Sequence, residues 1–178
     1  NQCGIFAIMQ HVLNTDESYR DISAHIRANF YTLRIHAEEL ARYNNMAKGE
    51  EEVTLKEIYK ALAMSGGLTA EVTERLLLLE CRIEQENILP IKRNIDLLKE
   101  KIKSKERVVL ISDMYLPLNV ITGILESIDD IFKNITVRNI PFLWKHNMYK
   151  GSQLYHWVIQ SDSDTGAQSI GDDRPLLS

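Results

Sequence analysis

Through the first hundred residues, apolar side chains recur every three or four positions. Ile22, Ile26, Phe30, Leu33, Ala37, Leu40 and Ala41 form one stripe, which predicts a long amphipathic helix ended by Asn44-Asn45 and the acidic loop around Gly49. Thr54 and Glu57 have the spacing of a capping box, in which each side chain can satisfy the other's backbone N–H. They open a second helix through "LKEIYKALAMS", and Gly66-Gly67 stops it. A third helix runs from Thr69 to about Ile88 with Val72, Leu76, Leu79 and Ile83 inward, and Pro90 opens a fourth carrying Ile91, Ile95, Leu98 and Ile102. Residues 1–104 are therefore expected to form an α-helical bundle.

After Lys105 the rhythm changes. Short apolar runs at 107–112, 134–138 and 168–171 read as strands, 118–128 and 152–160 read as helices, and 139–151 fits neither period and reads as a loop. The run Val108-Val109-Leu110-Ile111 lacks polar alternation, the pattern of a parallel strand covered on both faces. The expected fold class is therefore α/β, with residues 105–178 as a partial parallel-sheet core.

Composition narrows the function classes. The chain has 178 residues, enough for one large domain or two small ones, and 44% are hydrophobic and 26% charged, an ordinary balance for a folded protein. A net charge of −4, with lysines and arginines interleaved among acids, offers no basic footprint for nucleic acid. Cys3 and Cys81 make neither a metal spacing nor a disulfide framework, and no apolar run approaches the roughly 20 residues that span a bilayer. The opening "NQCGIFAIMQHVLNTDESYR" lacks the basic start of a signal peptide, so the chain reads as soluble, and its cysteine usage fits a reducing compartment, from which a cytoplasmic location is expected.

Candidate chemistry gathers at two strand ends. Ser112-Asp113 follows the strand 107–112, and "SIGDD" at 169–173 follows the last one. In open parallel sheets, ligands bind beyond the carboxyl ends of the strands. His25 and His36 lie eleven apart on the first predicted helix without acidic or thiol partners at ligand spacing, and read as surface histidines. The acidic clusters 50–52 and 84–86 read as solvated faces.

The segments "EVTLKEIY" at 52–59, "VVLISDMYLP" at 108–117, "GSQLYHWV" at 151–158 and "IGDD" at 170–173, with Glu80, Glu84 and Glu86 before Pro90, carry a resemblance. Together they resemble the haloacid-dehalogenase-like (HAD) superfamily, and more narrowly the HAD-like domains often found beside bacterial glycosyltransferases. The resemblance implies a Rossmann-like core with a helical cap, and phosphatase or phosphotransferase chemistry on a phosphate ester with magnesium. It also implies roles for single residues. Ser112 would donate a hydrogen bond to phosphate, Lys145 or Lys150 would neutralise charge on the phosphoryl oxygens, and Asp172 and Asp173 would hold Mg2+.

The nucleophile motif of the family, Asp-x-Phe-Asp-Thr on a strand, has no counterpart before the first predicted helix, where Asp16 is the sole aspartate. The expectation is a chain that begins downstream of it. Two functions are then in view. One is a phosphatase or phosphotransferase acting on a phosphorylated small molecule. The other is a catalytically silent HAD-like scaffold that partners a glycosyltransferase. A core sheet without its nucleophile strand would expose an edge, so the chain is expected either to form a homo-oligomer or to sit in a rearranged sheet.

Overall fold

The computed structural model describes residues 2–49, 52–106, 108–112 and 114–139. By its internal contacts the chain divides into two units, Asn1–Ile88 with Tyr115–Val120, and Leu89–Met114 with Ile121–Ser178.

The first unit holds four helices: α1 (Gln2–Thr15), α2 (Ala24–Met46), α3 (Leu55–Gly66) and α4 (Ala70–Asn87). They close a cycle, with α1 packed on α2, α2 on α3, α3 on α4 and α4 on α1. The starts are set by local side chains. Ser23 accepts from the Ile26 N–H, Thr69 accepts from the Val72 N–H, and Thr54 with Glu57 forms the reciprocal capping box. The end of α3 needs a left-handed residue, and Gly67 supplies it at φ +62° while its N–H reaches the Ala63 carbonyl. Met9, Leu13, Phe30, Leu55, Ile58, Leu62 and Leu76 are fully buried between these helices. Each such side chain contributes roughly 1.5–3 kcal/mol on leaving water.

Helix α1 has no counterpart among the predicted elements. Its buried residues Phe6, Met9 and Leu13 nevertheless sit at helical spacing, so the first unit is larger by one helix than its apolar stripes suggested.

The second unit contains α5 (Lys92–Lys103), the strand β1 (Val109–Ser112), all but the first turn of α6 (Leu118–Ile128), and β2 (Thr136–Asn139). Strands β1 and β2 pair in parallel, Val109 opposite Thr136 and Ser112 opposite Asn139, with α6 as the intervening crossover in the chain. Lys99 of α5 forms an ion pair with Asp129, whose carboxylate also caps the 3-10 turn Asp130–Asn134.

The expected α/β class with a Rossmann-like sheet core is corrected by the structure. The described residues are mostly helical, with six α-helices and one two-stranded parallel sheet. Two strands of four residues present only two side chains each to either face, too few to organise a core. Burial is instead concentrated on helices, and all four residues of β1 are only half-buried. The expected helix 152–160 and strand 168–171 lie outside the described residues. No helix among the described residues is long and apolar enough to cross a membrane.

Candidate functional site

Ser112 is the last residue of β1, at its carboxyl end and half-buried. Its hydroxyl oxygen accepts a hydrogen bond from the Met114 N–H at 3.3 Å. A serine hydroxyl has two acceptor lone pairs and one donor proton. The turn uses a lone pair, and the hydroxyl keeps its donor capacity in addition.

Of the other residues expected at this site, Lys145, Lys150, Asp172 and Asp173 lie outside the described residues. Among the described residues no group of three His, Cys, Asp or Glu side chains could hold a metal ion. His25 and His36 are exposed on α2, as their spacing suggested.

The first unit contains a polar constellation that the sequence did not announce. Arg34 of α2 and Glu80 of α4 are both wholly buried, and they pair through two parallel bonds, Nε to Oε2 and Nη2 to Oε1, each 2.8 Å. The third nitrogen of Arg34 reaches Glu38 Oε2 at 3.1 Å. Around the guanidinium stand the rings of Phe6, Tyr115 and Tyr59, at 4.6, 5.3 and 5.8 Å from its carbon. Tyr59 donates its hydroxyl to Glu80 Oε2 at 2.7 Å and lies 3.1 Å from the Leu76 carbonyl, while Tyr115 donates to Glu84 Oε1 at 3.1 Å.

The electrostatics follow from this packing. Burial works against the charge on Arg34, but hydrogen bonding and attraction from Glu80 outweigh it and raise its pKa. Burial, reinforced by Glu80, pushes both the Tyr59 and the Tyr115 hydroxyls far above the usual phenol range, so both remain donors. Cys81, buried on α4, has its thiol pushed up to about 11 by burial and then by Glu80, so it is protonated and unreactive at neutral pH.

Glu84 is only 5% exposed, contrary to the expectation that 84–86 forms a solvated face. Burial raises its carboxyl pKa above 4.5, and Glu80 adds to the rise, while the Tyr115 hydrogen bond and Arg34 oppose it. The folded state thus holds this proton at pH values where the unfolded chain has released it. Stability contributed by this group falls as pH rises through that window. Glu84→Gln, which keeps an acceptor for Tyr115, should therefore gain stability relative to the parent between pH 4.5 and neutrality. Urea unfolding across a pH series measures this, and a parent-to-variant difference independent of pH would count against it.

Arg34 and Glu80 leave a signal in the sequence that is visible once it is sought. Arg34 occupies the same stripe as Ile26, Phe30, Ala37 and Ala41, and Glu80 the same stripe as Leu76 and Ile83. Two opposite charges at apolar-face positions of two helices mark a buried pair. Compared with the models of known protein families the chain matches none, and no curated protein matches it.

Proposed function

We propose that this chain is a phosphate-ester-handling module of the HAD-like kind, of phosphatase or phosphotransferase type, with Ser112 donating a hydrogen bond to a phosphate oxygen. The observation that carries the reading is the β1–α6–β2 unit with Ser112 at the carboxyl end of a parallel strand. That is where parallel sheets present ligands, and Met114 donates to the hydroxyl oxygen there, an interaction that uses a lone pair and not the proton. A hydrogen bond donated to a charged phosphate oxygen is stronger than one to a neutral acceptor. In this reading the substrate is a phosphorylated small molecule, Lys145 or Lys150 is the balancing cation, and Asp172 and Asp173 hold magnesium, which would neutralise phosphate charge.

The test is a titration of the 15N-labelled 178-residue chain with inorganic phosphate in magnesium buffer. The amide resonances of Ser112 and Met114 are expected to shift together with a common dissociation constant. Ser112→Ala should weaken that constant by about 10- to 100-fold, the worth of one hydrogen bond to a charged group. Equal affinity in parent and variant would remove Ser112 from the site.

A further inference from the structure

The segment Tyr115–Val120 joins the first unit from far along the chain, and its first two residues are seated there: Tyr115 is 7% exposed and Leu116 1%. Tyr115 is bonded through both its backbone and its side chain. Its carbonyl accepts from the Leu55 N–H at 2.9 Å, and its hydroxyl donates to Glu84 Oε1 at 3.1 Å. Leu55 is the first residue of α3, so its N–H has no acceptor within its own helix. The seat thus joins a backbone donor of α3 to a carboxyl of α4.

That carboxyl is poorly placed to carry a charge. Arg34, the buried cation of the cluster, has its three nitrogens committed elsewhere, Nε and Nη2 to Glu80 and Nη1 to Glu38. Glu80 lies one turn before Glu84 on α4 and is wholly buried, so an ionised Glu84 would add a second negative charge to the same buried face. Burial and then Glu80 disfavour the ionised form, while the Tyr115 hydroxyl, the chain's amino terminus and Arg34 of α2 favour it, and the balance leaves the carboxyl above its ordinary 4.5. The other groups of the cluster keep their protons from acid to neutral pH, Tyr59 of α3 and Tyr115 as phenols and Cys81 of α4 as a thiol.

We infer that seating Tyr115 and Leu116 on the helices is coupled to uptake of one proton from solvent at Glu84, which makes this segment a strap that is tight in acid and loosens toward neutral pH. When the strap leaves, Glu84 meets water and behaves as an ordinary carboxyl. When it is seated, the same group holds its proton to higher pH. The stability of the strap is therefore full below about 4.5 and is lost as pH rises through the raised value, with the proton returned to solvent on release.

Hydrogen exchange at the Leu55 amide reads the strap, because that N–H loses its acceptor when Tyr115 leaves. Ile58, one turn later in α3, donates to the Thr54 carbonyl and keeps that acceptor, so its exchange reports unfolding of the helix itself. The 178-residue chain is followed from pH 4.5 to about 7, below the range of about 7.7–8.0 where an amino terminus titrates, with rates corrected for intrinsic exchange. The opening constant at Leu55 is expected to exceed that at Ile58 and to grow by up to about tenfold per pH unit, the effect of one proton released. Glu84→Gln keeps an acceptor for Tyr115 but has no proton to release, so its Leu55 constant should not change with pH. Tyr115→Phe removes a donor that favours the ionised carboxylate, so its Leu55 constant should grow by a larger factor than the parent's over the same range. Equal constants at Leu55 and Ile58 at every pH would mean that the segment never leaves on its own, and would overturn the inference. A parent Leu55 constant that ignores pH, or one that climbs as steeply in Glu84→Gln, would overturn it too. The parent series decides the matter even if a variant does not fold.

Discussion

Arg34→Met is expected to lower the stability of the helical unit by about 3–5 kcal/mol, the range seen when one partner of a buried ion pair is removed. The reason is the carboxylate left behind more than the bond lost. Glu80 is wholly buried, and without Arg34 its Oε1 loses its charged donor, leaving Tyr59 to serve Oε2 alone. The three aromatic rings that face the guanidinium lose their cation at the same time. The complementary result separates an orphaned charge from a shape defect. Adding Glu80→Leu to Arg34→Met should recover most of the loss, because an apolar pair of similar volume has no charge to desolvate, and Tyr59 retains the Leu76 carbonyl. Chemical denaturation of the two variants measures both quantities. A double variant as unstable as the single one would show that packing, and not the stranded carboxylate, sets the loss.

Phe30→Ala should produce a loss of comparable size, about 3–5 kcal/mol, by a different route. Phe30 is fully buried on α2, one turn before Arg34 and one turn after Ile26, on the face of a helix that packs on both α1 and α3. Truncation removes an aromatic ring from a fully buried position on that helix and leaves a cavity that close-packed neighbours fill only in part. Tyr43→Ala on the same helix is the control. Tyr43 is 72% exposed, and its truncation should stay within about 0.5 kcal/mol. Urea melts of both variants decide the matter, and a Phe30→Ala loss below that of Tyr43→Ala would mean the bundle repacks freely.

The parts of the fold that were legible in the sequence are those fixed by neighbours along the chain. Thr54 and Glu57 are three residues apart, and the capping box forms as their spacing predicted. The same holds for Thr69 at the start of α4 and Gly67 at the end of α3. The helix Leu118–Ile128 and the strands at 109–112 and 136–139 also fall where their periodicity placed them. What was not legible depends on partners far apart in sequence. Arg34 and Glu80 are 46 residues apart, and the pattern of each helix gives a face without saying which charges will meet across it. Glu84 was misjudged because a carboxylate in an acidic cluster is normally solvated, and only the fold brings Tyr115 to it across 31 residues. The size of a sheet is likewise a long-range property. Strand-like runs read correctly as strands did not imply a sheet large enough to form a core. At the candidate site, Ser112 was legible as a strand end, while the bond its oxygen accepts from the Met114 N–H was not.

The interleaving of the two units along the chain also bears on the order in which the protein is made. The helices α1 to α4 leave the ribosome first, yet the acceptor for Leu55 and the donor for Glu84 both belong to Tyr115, which is synthesised 31 residues after Glu84. At ordinary elongation rates that is a wait of roughly 2–6 s. During that interval the helices lack the phenol that serves Glu84 and the carbonyl that serves Leu55, so these two bonds form only after translation has passed Tyr115.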